Sequence, residues 1–347
     1  FPHVTKWRVE PGGSILGSPI IRGDGSIVVG NGHGRILSAW SALGAPLWSY
    51  PATGGILGAA GALADGKVLF SDLDGKIYTL NADGSFNASY QNTANPKVER
   101  RLISDMTPRP GGGYATADWM HNLIMNTGGA ANQIFALGDT IYPHAPVTLN
   151  SAGTLAYVVI RPNANQVRAV CVNTATAAQV WSRQFAHSIG SKLTSQMSGV
   201  CLDEANSRLF FCANYHAEST GAFLYALAST DGVKKTNFPV DLATGSYATP
   251  ALSPDGSAVY ITTLDGRLLK IDAVSGATLW SYDSGAQLIR GSAVVDSLGR
   301  VVFGDMNGSI HCVRNDGTLL WKHNGDGSIV AAPPAIAEDG EVVYATA

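Results

Sequence analysis

The 347-residue sequence has little charge and no long hydrophobic run, and each shortage argues against a class of protein. Charged residues make up 14%, the formal net charge is -3, and no basic cluster exceeds Arg100-Arg101 or Lys234-Lys235. Binding to a phosphate backbone depends on counterion release by many cations, so nucleic acid is disfavoured as a partner. Gly, Asn, Asp and Ser interrupt every apolar run before the roughly 18 residues of a membrane-spanning helix, so none is predicted.

Closely spaced cysteines are also missing. No CxxC pair occurs, which argues against a zinc knuckle or a dense disulfide framework; the four cysteines are Cys171, Cys201, Cys212 and Cys312. Counting outward from the turn near Ala205 pairs Cys201 with Phe210 and Cys212 with Gly199, so the two sulfurs of this hairpin lie diagonally. We predict free buried thiols, and the redox state stays open.

The chain starts at Phe1 rather than Met, which fits either a processed mature protein or a fragment without its leader. Asn87 and Asn307 match the N-glycosylation acceptor pattern, which matters only in a eukaryotic secretory compartment. We expect an extracytoplasmic location: secreted, periplasmic or on the cell surface.

A repeat of about 41 residues organises the chain, because this interval separates Trp7 from Trp48 and also Trp280 from Trp321. The clearest copies begin near Ser14, Ser246 and Gln287. Each copy has a short apolar strand, an Asp-Gly type turn, a β-branched strand, a second Gly turn, a third strand and a Gly-x-x-x-Trp fourth strand. This order predicts a four-stranded antiparallel meander.

Counting first turns gives eight copies, at Gly25, Gly66, Gly111 to Gly113, Gly153, Ala205 to Ser207, Gly256, Gly299 and Gly340. Such units cannot bury both faces alone and pack radially. We therefore predict an all-β chain, a single eight-bladed β-propeller over residues 1–347, with the last blade shared between the N- and C-termini. The predicted blades are approximately 14–50, 55–90, 101–137, 144–185, 196–238, 246–282, 287–324, and 328–347 plus 1–10. From Tyr344 the pattern asks for roughly eight more residues, so the native protein continues, another chain fills the gap, or the blade is incomplete.

The Gly-Ser-Pro run at 17–19, the turn glycines and the segment IDAVSGATLW at 271–280 resemble the PQQ-like (quinoprotein alcohol dehydrogenase-like) propeller repeats. The resemblance implies that the tryptophans clasp neighbouring blades; these are Trp7, Trp48, Trp181, Trp280 and Trp321. Some members of the family bind pyrroloquinoline quinone (PQQ) and calcium and oxidise alcohols or sugars, whereas others are scaffolds without a cofactor, similar to outer-membrane assembly lipoproteins.

The dehydrogenase branch carries adjacent cysteines and carboxylate ligands. This sequence has no adjacent cysteines, and of its six glutamates only Glu99 and Glu218 lie in irregular segments. We therefore expect the chain to resemble the non-catalytic scaffold members and predict no cofactor and no catalytic residue; the alternative is a divergent PQQ-dependent sugar or alcohol dehydrogenase.

Candidate binding residues come from loops that depart from the repeat in the middle blades, because such departures indicate function. These loops contain Trp119, His121, His187, Tyr215, His216 and Glu218, and the turn of the first copy adds His33. Aromatic, imidazole and carboxylate groups together suit a polar ligand or a protein loop. We predict a propeller that binds a protein or glycan partner through one mouth of its central channel, within a larger assembly.

Two metal-site interpretations are weaker. His121, His216 and Glu218 have the ligand types of a two-histidine, one-carboxylate site, but nothing in the sequence brings their loops together. The segment Asp72-Leu-Asp74-Gly75 resembles a calcium loop but lacks the remaining ligands, and a plain β-turn explains it.

Overall fold

The computed structural model describes residues 4–10, 12–92, 101–102, 104–118, 122–129, 131–138, 146–163, 166–186, 194–215, 221–286, 289–325, 330 and 332–346. Within these residues the regular structure consists of 31 strands. No helix in this part of the chain is long and apolar enough to cross a membrane. The prediction of an all-β chain is therefore confirmed.

The first three sheets are antiparallel meanders in chain order. Blade 1 has β1 (Ile20–Ile21), β2 (Ile27–Asn31), β3 (Ile36–Trp40) and β4 (Pro46–Pro51). Blade 2 has β5 (Gly61–Ala62), β6 (Val68–Ser71), β7 (Lys76–Leu80) and β8 (Phe86–Gln91). Blade 3 has β9 (Thr107–Pro108), β10 (Tyr114–Ala117), β11 (Asn122–Asn126) and β12 (Asn132–Ala136).

The next two sheets contain the longest strands. Blade 4 has β13 (Thr148–Leu149), β14 (Leu155–Asn163), β15 (Gln166–Asn173) and β16 (Gln179–Ala186). Blade 5 has β17 (Thr194–Met197), β18 (Cys201–Asp203), β19 (Arg208–Tyr215), β20 (Ala222–Ala228) and β21 (Val240–Asp241). Both β17 and β18 pair with β19, so the first strand position of this blade is split in two.

The last sheets return to the regular repeat and then stop short. Blade 6 has β22 (Ala251–Leu252), β23 (Ala258–Thr262), β24 (Arg267–Asp272) and β25 (Thr278–Asp283). Blade 7 has β26 (Val294–Val295), β27 (Val301–Gly304), β28 (Ser309–Val313) and β29 (Leu319–Asn324). The C-terminal sheet has only β30 (Ala335–Ile336) and β31 (Val342–Val343).

The prediction of eight four-stranded blades is wrong, because the sheet arrangement is that of a seven-bladed propeller. The predicted eighth blade is a two-stranded hairpin, and residues 4–10 form no strand. This N-terminal segment instead packs through Trp7 and Val9 in a cluster with buried side chains of blade 1 and with Val343 of β31. Counting first-turn glycines gave one blade too many, because Gly340 marks the first turn of a hairpin whether or not further strands follow.

Burial explains the position of each strand within a blade. The second strands are buried on both faces, as in β2 and β6, whereas the fourth strands β4 and β25 are largely exposed. The first strands of neighbouring sheets contact each other, as β5 does β9 and β22 does β26. The first strands are therefore innermost, and apolar clusters between adjacent blades form the core. One such cluster joins Phe210 and Leu224 of blade 5 to Val259 and Ile271 of blade 6.

Tryptophans on outer strands link one blade to the next. The Trp48 indole N–H donates to the Ala82 carbonyl at 3.2 Å, and a Cβ on Gly84 would lie 2.4 Å from the indole ring. Only glycine allows this approach, and its φ of +83° is also one that glycine adopts readily. Equivalent bonds join Trp181 of β16 to Ser229 and Trp280 of β25 to Asn315. Trp7, in the N-terminal segment outside any strand, bonds in the same way to Ala42.

Candidate functional site

One face of the propeller, here called the mouth face, consists of the turns between second and third strands together with the loops that connect successive blades. Antiparallel strand order brings these segments to the same end of each sheet. The contacts agree, because the Ser14 hydroxyl in the segment entering blade 1 lies 2.7 Å from His33 Nδ1 in the turn between β2 and β3. Similarly, Asn214 at the end of β19 bonds to the backbone of Ser246, which leads into blade 6.

Buried acidic side chains anchor this face, most completely at Asp72. Its Oδ1 accepts the backbone N–H groups of Asp74 and Lys76, each at 3.0 Å. Its Oδ2 accepts the Thr53 hydroxyl at 2.8 Å, the Gly54 N–H at 3.0 Å and the Tyr78 hydroxyl at 3.0 Å. These five donors come from the turn, from β7 and from the preceding interblade loop. The plain-turn interpretation of this segment is thus supported, since both oxygens bind protein donors.

Blade 7 repeats the arrangement with a histidine. Asp305 Oδ1 accepts the N–H groups of Asn307 and Ser309, and its Oδ2 lies 3.0 Å from His311 Nε2. The other ring nitrogen of His311 lies 3.1 Å from the Tyr282 hydroxyl of blade 6. Burial lowers the pKa of His311, and the bond to Asp305 opposes that shift. The neutral imidazole therefore fits this site at neutral pH.

The same strand position holds a carboxylate in blade 3, where Asp118 accepts bonds from Asn92 and Asn122. In blade 1, Asn31 accepts the Gly34 N–H at 2.6 Å. Because these side chains are buried and bonded within the protein, they hold the turns in place. The described turns of the mouth face are thus each held by hydrogen bonds to buried side chains.

The sequence-predicted site residues fall largely outside the described part of the chain. His33 is exposed on the mouth face, in the turn of blade 1. Tyr215 ends β19, where it pairs in register with Thr194. The side chain of Tyr215 lies outside the described residues, as do Trp119, His121, His187, His216 and Glu218. Their assembly into one binding surface stays a prediction.

Side chains around the inner strands were missed by the sequence analysis. Four residues occupy the same position of the repeat, each four positions before the first strand of its blade. Here called the inner ring, they are Leu16, Leu57, Tyr247 and Arg290. Leu16 is 46% exposed and Arg290 is exposed. Alignment of the repeats would have found them, because this is the variable position before Gly-Ser-Pro in blade 1 and Ala-Thr-Pro in blade 6.

Next to the inner ring, hydrogen bonds run from blade to blade. The Thr249 N–H donates to the Ser292 hydroxyl at 2.8 Å, and the Gly199 N–H donates to the Thr249 hydroxyl at 3.1 Å. In blade 3 the equivalent acceptor is a carboxylate, since the Ala59 N–H donates to Asp105 Oδ1 at 2.7 Å. Burial raises the pKa of Asp105. These bonds fix the spacing of the inner strands.

Chemistry at cysteine or metal has little support among the described side chains. All four cysteines are free, as predicted for Cys201 and Cys212, but Cys201 is only partly buried. Cys201 faces Phe210 in the hairpin register that was expected. Burial raises the pKa of Cys171 to about 11 and that of Cys212 to about 12, so both are poor nucleophiles at neutral pH. Within the described ranges no group of three or more His, Cys, Asp or Glu side chains is arranged to hold a metal ion.

Known proteins resemble the chain both in sequence and in fold. Residues 264–347 match the family model described as outer membrane protein assembly factor BamB. The assembly factor BamB of Nitrosomonas eutropha is 30% identical over 92 residues, which cover 26% of this chain and 22% of that protein. The chain thus matches less than a quarter of that relative's length.

Solved structures extend the likeness of fold to nearly the whole chain. BamB from Moraxella catarrhalis superposes with a TM-score of 0.70 at 16% identity, covering 95% of this chain and 96% of its own. A europium-containing methanol dehydrogenase superposes with a TM-score of 0.72 at 12% identity, covering 97% of this chain and 83% of its own. Saccharomyces cerevisiae Sqt1 superposes with a TM-score of 0.67 at 11% identity, covering 96% of this chain and 93% of its own. At these identities the superpositions establish the fold alone. Together with the sequence matches over part of the chain, they support the predicted resemblance to the PQQ-like propeller repeats.

Proposed function

We propose that this chain is a non-catalytic scaffold that binds a protein partner through its mouth face, outside the cytoplasm and within a larger assembly. The sequence match to a family named for assembly of outer membrane proteins supports this proposal. A glycan partner gains no support from the comparisons. The similarity to methanol dehydrogenase extends to the fold, which hosts both functions.

The observation that carries the proposal is the anchoring of the mouth face by buried carboxylates. Asp72 and Asp305 hold their turns through oxygens that accept hydrogen bonds from protein donors. A loop surface ordered before binding loses less conformational entropy when a partner docks. In this proposal the middle-blade residues Trp119, His121, His187, Tyr215, His216 and Glu218 and the exposed His33 contribute the contacts, and no cofactor takes part.

Native mass spectrometry of the protein purified from the cells that produce it tests this proposal. We expect co-purifying chains in defined stoichiometry, recovered from an extracytoplasmic fraction. A bare polypeptide mass in gently prepared extracts would count against the scaffold. A mass increment with quinone absorbance, together with dye reduction that requires PQQ and calcium, would establish the dehydrogenase instead.

A further inference from the structure

Arg290 differs from most arginines of the described chain in what its guanidinium contacts. Arg22 and Arg208 donate to carbonyls of the following blade, and Arg267 pairs with Asp265. Arg290 is exposed and, within the described residues, makes no hydrogen bond or ion pair. Its guanidinium carbon lies 5.9 Å from the ring centroid of Tyr247 in the neighbouring blade. Its N–H donors are therefore not used by the described residues, while its guanidinium lies beside an aromatic ring.

The setting of Arg290 suits recognition of a carboxylate. A guanidinium presents its N–H donors as a planar fork that matches a carboxylate with two parallel bonds. Contact with the Tyr247 ring restricts the side chain before a ligand arrives, which lowers the entropy cost of binding. Arginine and tyrosine are also the residue types that most often dominate the energy of protein interfaces.

The inner ring also offers apolar surface. Leu16 is 46% exposed and Leu57 is half-buried at the matching position of the next blade. A polyanion such as nucleic acid would need a cluster of cations, which the chain lacks. One outward-facing guanidinium combined with leucine and tyrosine instead fits a protein segment that carries both a carboxylate and an apolar side chain.

We propose that the inner ring is the docking point for an acidic and apolar segment of the partner protein, with Arg290 as the residue that holds its carboxylate. This inference rests on the proposed scaffold function and specifies the chemistry of the partner. It places the energetic centre of the interface at the inner ring.

The test uses the full chain and two fluorescein-labelled 12-residue probes. One probe alternates Asp and Leu with Phe, and the other has every Asp replaced by Asn. Anisotropy titrations should show saturable binding of the acidic probe that weakens with salt, and weaker binding of the amide probe. Arg290→Ala should weaken binding of the acidic probe about tenfold, the scale of a lost charge-assisted hydrogen bond, and Arg290→Lys should recover part of it.

The matched control is Arg314→Ala, because Arg314 is also exposed in blade 7 but lies in the turn between β28 and β29, on the opposite face. This variant should bind both probes like the parent protein. Equal affinity for the two probes, or no effect of Arg290→Ala with folding intact, would overturn the inference. Tighter binding of a 20-nucleotide DNA probe would overturn it in favour of nucleic acid. Co-purifying chains retained by Arg290→Ala would show that the inference failed while the scaffold function stood.

Discussion

Replacing Asp72 with Asn is the sharpest test of how the mouth face is built, because the substitution preserves shape and removes acceptors. In the less costly orientation, the Asn oxygen keeps the two backbone N–H groups of its own turn. The hydroxyls of Thr53 and Tyr78 can rotate to accept from the new NH2 group. The Gly54 N–H cannot rotate, so a buried donor faces another donor.

The expected cost follows from these contacts. A buried donor without an acceptor costs about 1 to 3 kcal/mol, and the bonds that remain weaken because they lose their charged acceptor. We expect Asp72→Asn to lower the free energy of unfolding by about 2 to 4 kcal/mol. Urea unfolding monitored by tryptophan fluorescence measures this change. The dependence of the free energy of unfolding on urea concentration, the m-value, should be the same for the variant and the parent protein.

The control is Asp65→Asn in the same blade. Asp65 lies in the exposed turn between β5 and β6, where its Oδ1 accepts the Lys67 N–H at 3.2 Å, as an Asn oxygen can also do. The substitution also removes a surface ion pair with the Lys67 ammonium, so its cost should stay within about 1 kcal/mol. If the Asp72 and Asp65 variants unfolded at the same urea concentration, buried carboxylates would not be the anchors of the mouth face.

Three further results are expected. Trp280→Phe should lower the free energy of unfolding by about 1 kcal/mol in urea titrations, because an aromatic ring is kept but the indole N–H bond to the Asn315 carbonyl is lost; a neutral result would mean that the bond does not join the blades. Burial lowers the pKa of His311 below its ordinary 6.5, so the folded state binds fewer protons than the unfolded state, and stability should fall as the pH drops below about 6.5. His311→Tyr keeps a donor to Asp305 and should remove this part of the pH dependence of stability. Identical pH profiles of stability for the variant and the parent protein would refute this prediction. Cys212, fully buried with its pKa raised to about 12, should react with Ellman's reagent only after unfolding, and prompt native labelling followed by peptide mapping to this residue would contradict the structure.

The repeat made the architecture readable from the sequence, because each turn glycine and each outer-strand tryptophan marks a fixed position in a blade. The turns at Gly66 and Gly75 lie where the pattern put them, with φ values of +82° and +79°. The predicted number of blades was wrong because the turn pattern reports only on the hairpin that contains it. Gly340 and its neighbours specify a hairpin, but whether a third strand pairs with β31 depends on contacts that no turn residue encodes.

The candidate site was less predictable, for a physical reason. Asp72 reads as part of an ordinary Asp-rich turn, and its anchoring role appears only when the chain brings Thr53 and Gly54 of the previous loop beside it. Arg290 likewise carries no motif, and it is distinguished by a guanidinium that bonds to no acceptor among the described residues. The irregular middle loops supplied the candidate binding residues because they depart from the repeat. Such a departure does not specify how the loops are arranged in space.

The most direct test of the central claim is photo-crosslinking in the cells that produce the protein, with a photoreactive amino acid at position 33 or at position 316. Both His33 and Asp316 are exposed in turns, one on the mouth face and one on the opposite face. The scaffold account predicts a discrete crosslinked partner from position 33 and none from position 316. Equal crosslinking from both positions, or crosslinking from position 316 alone, would contradict it.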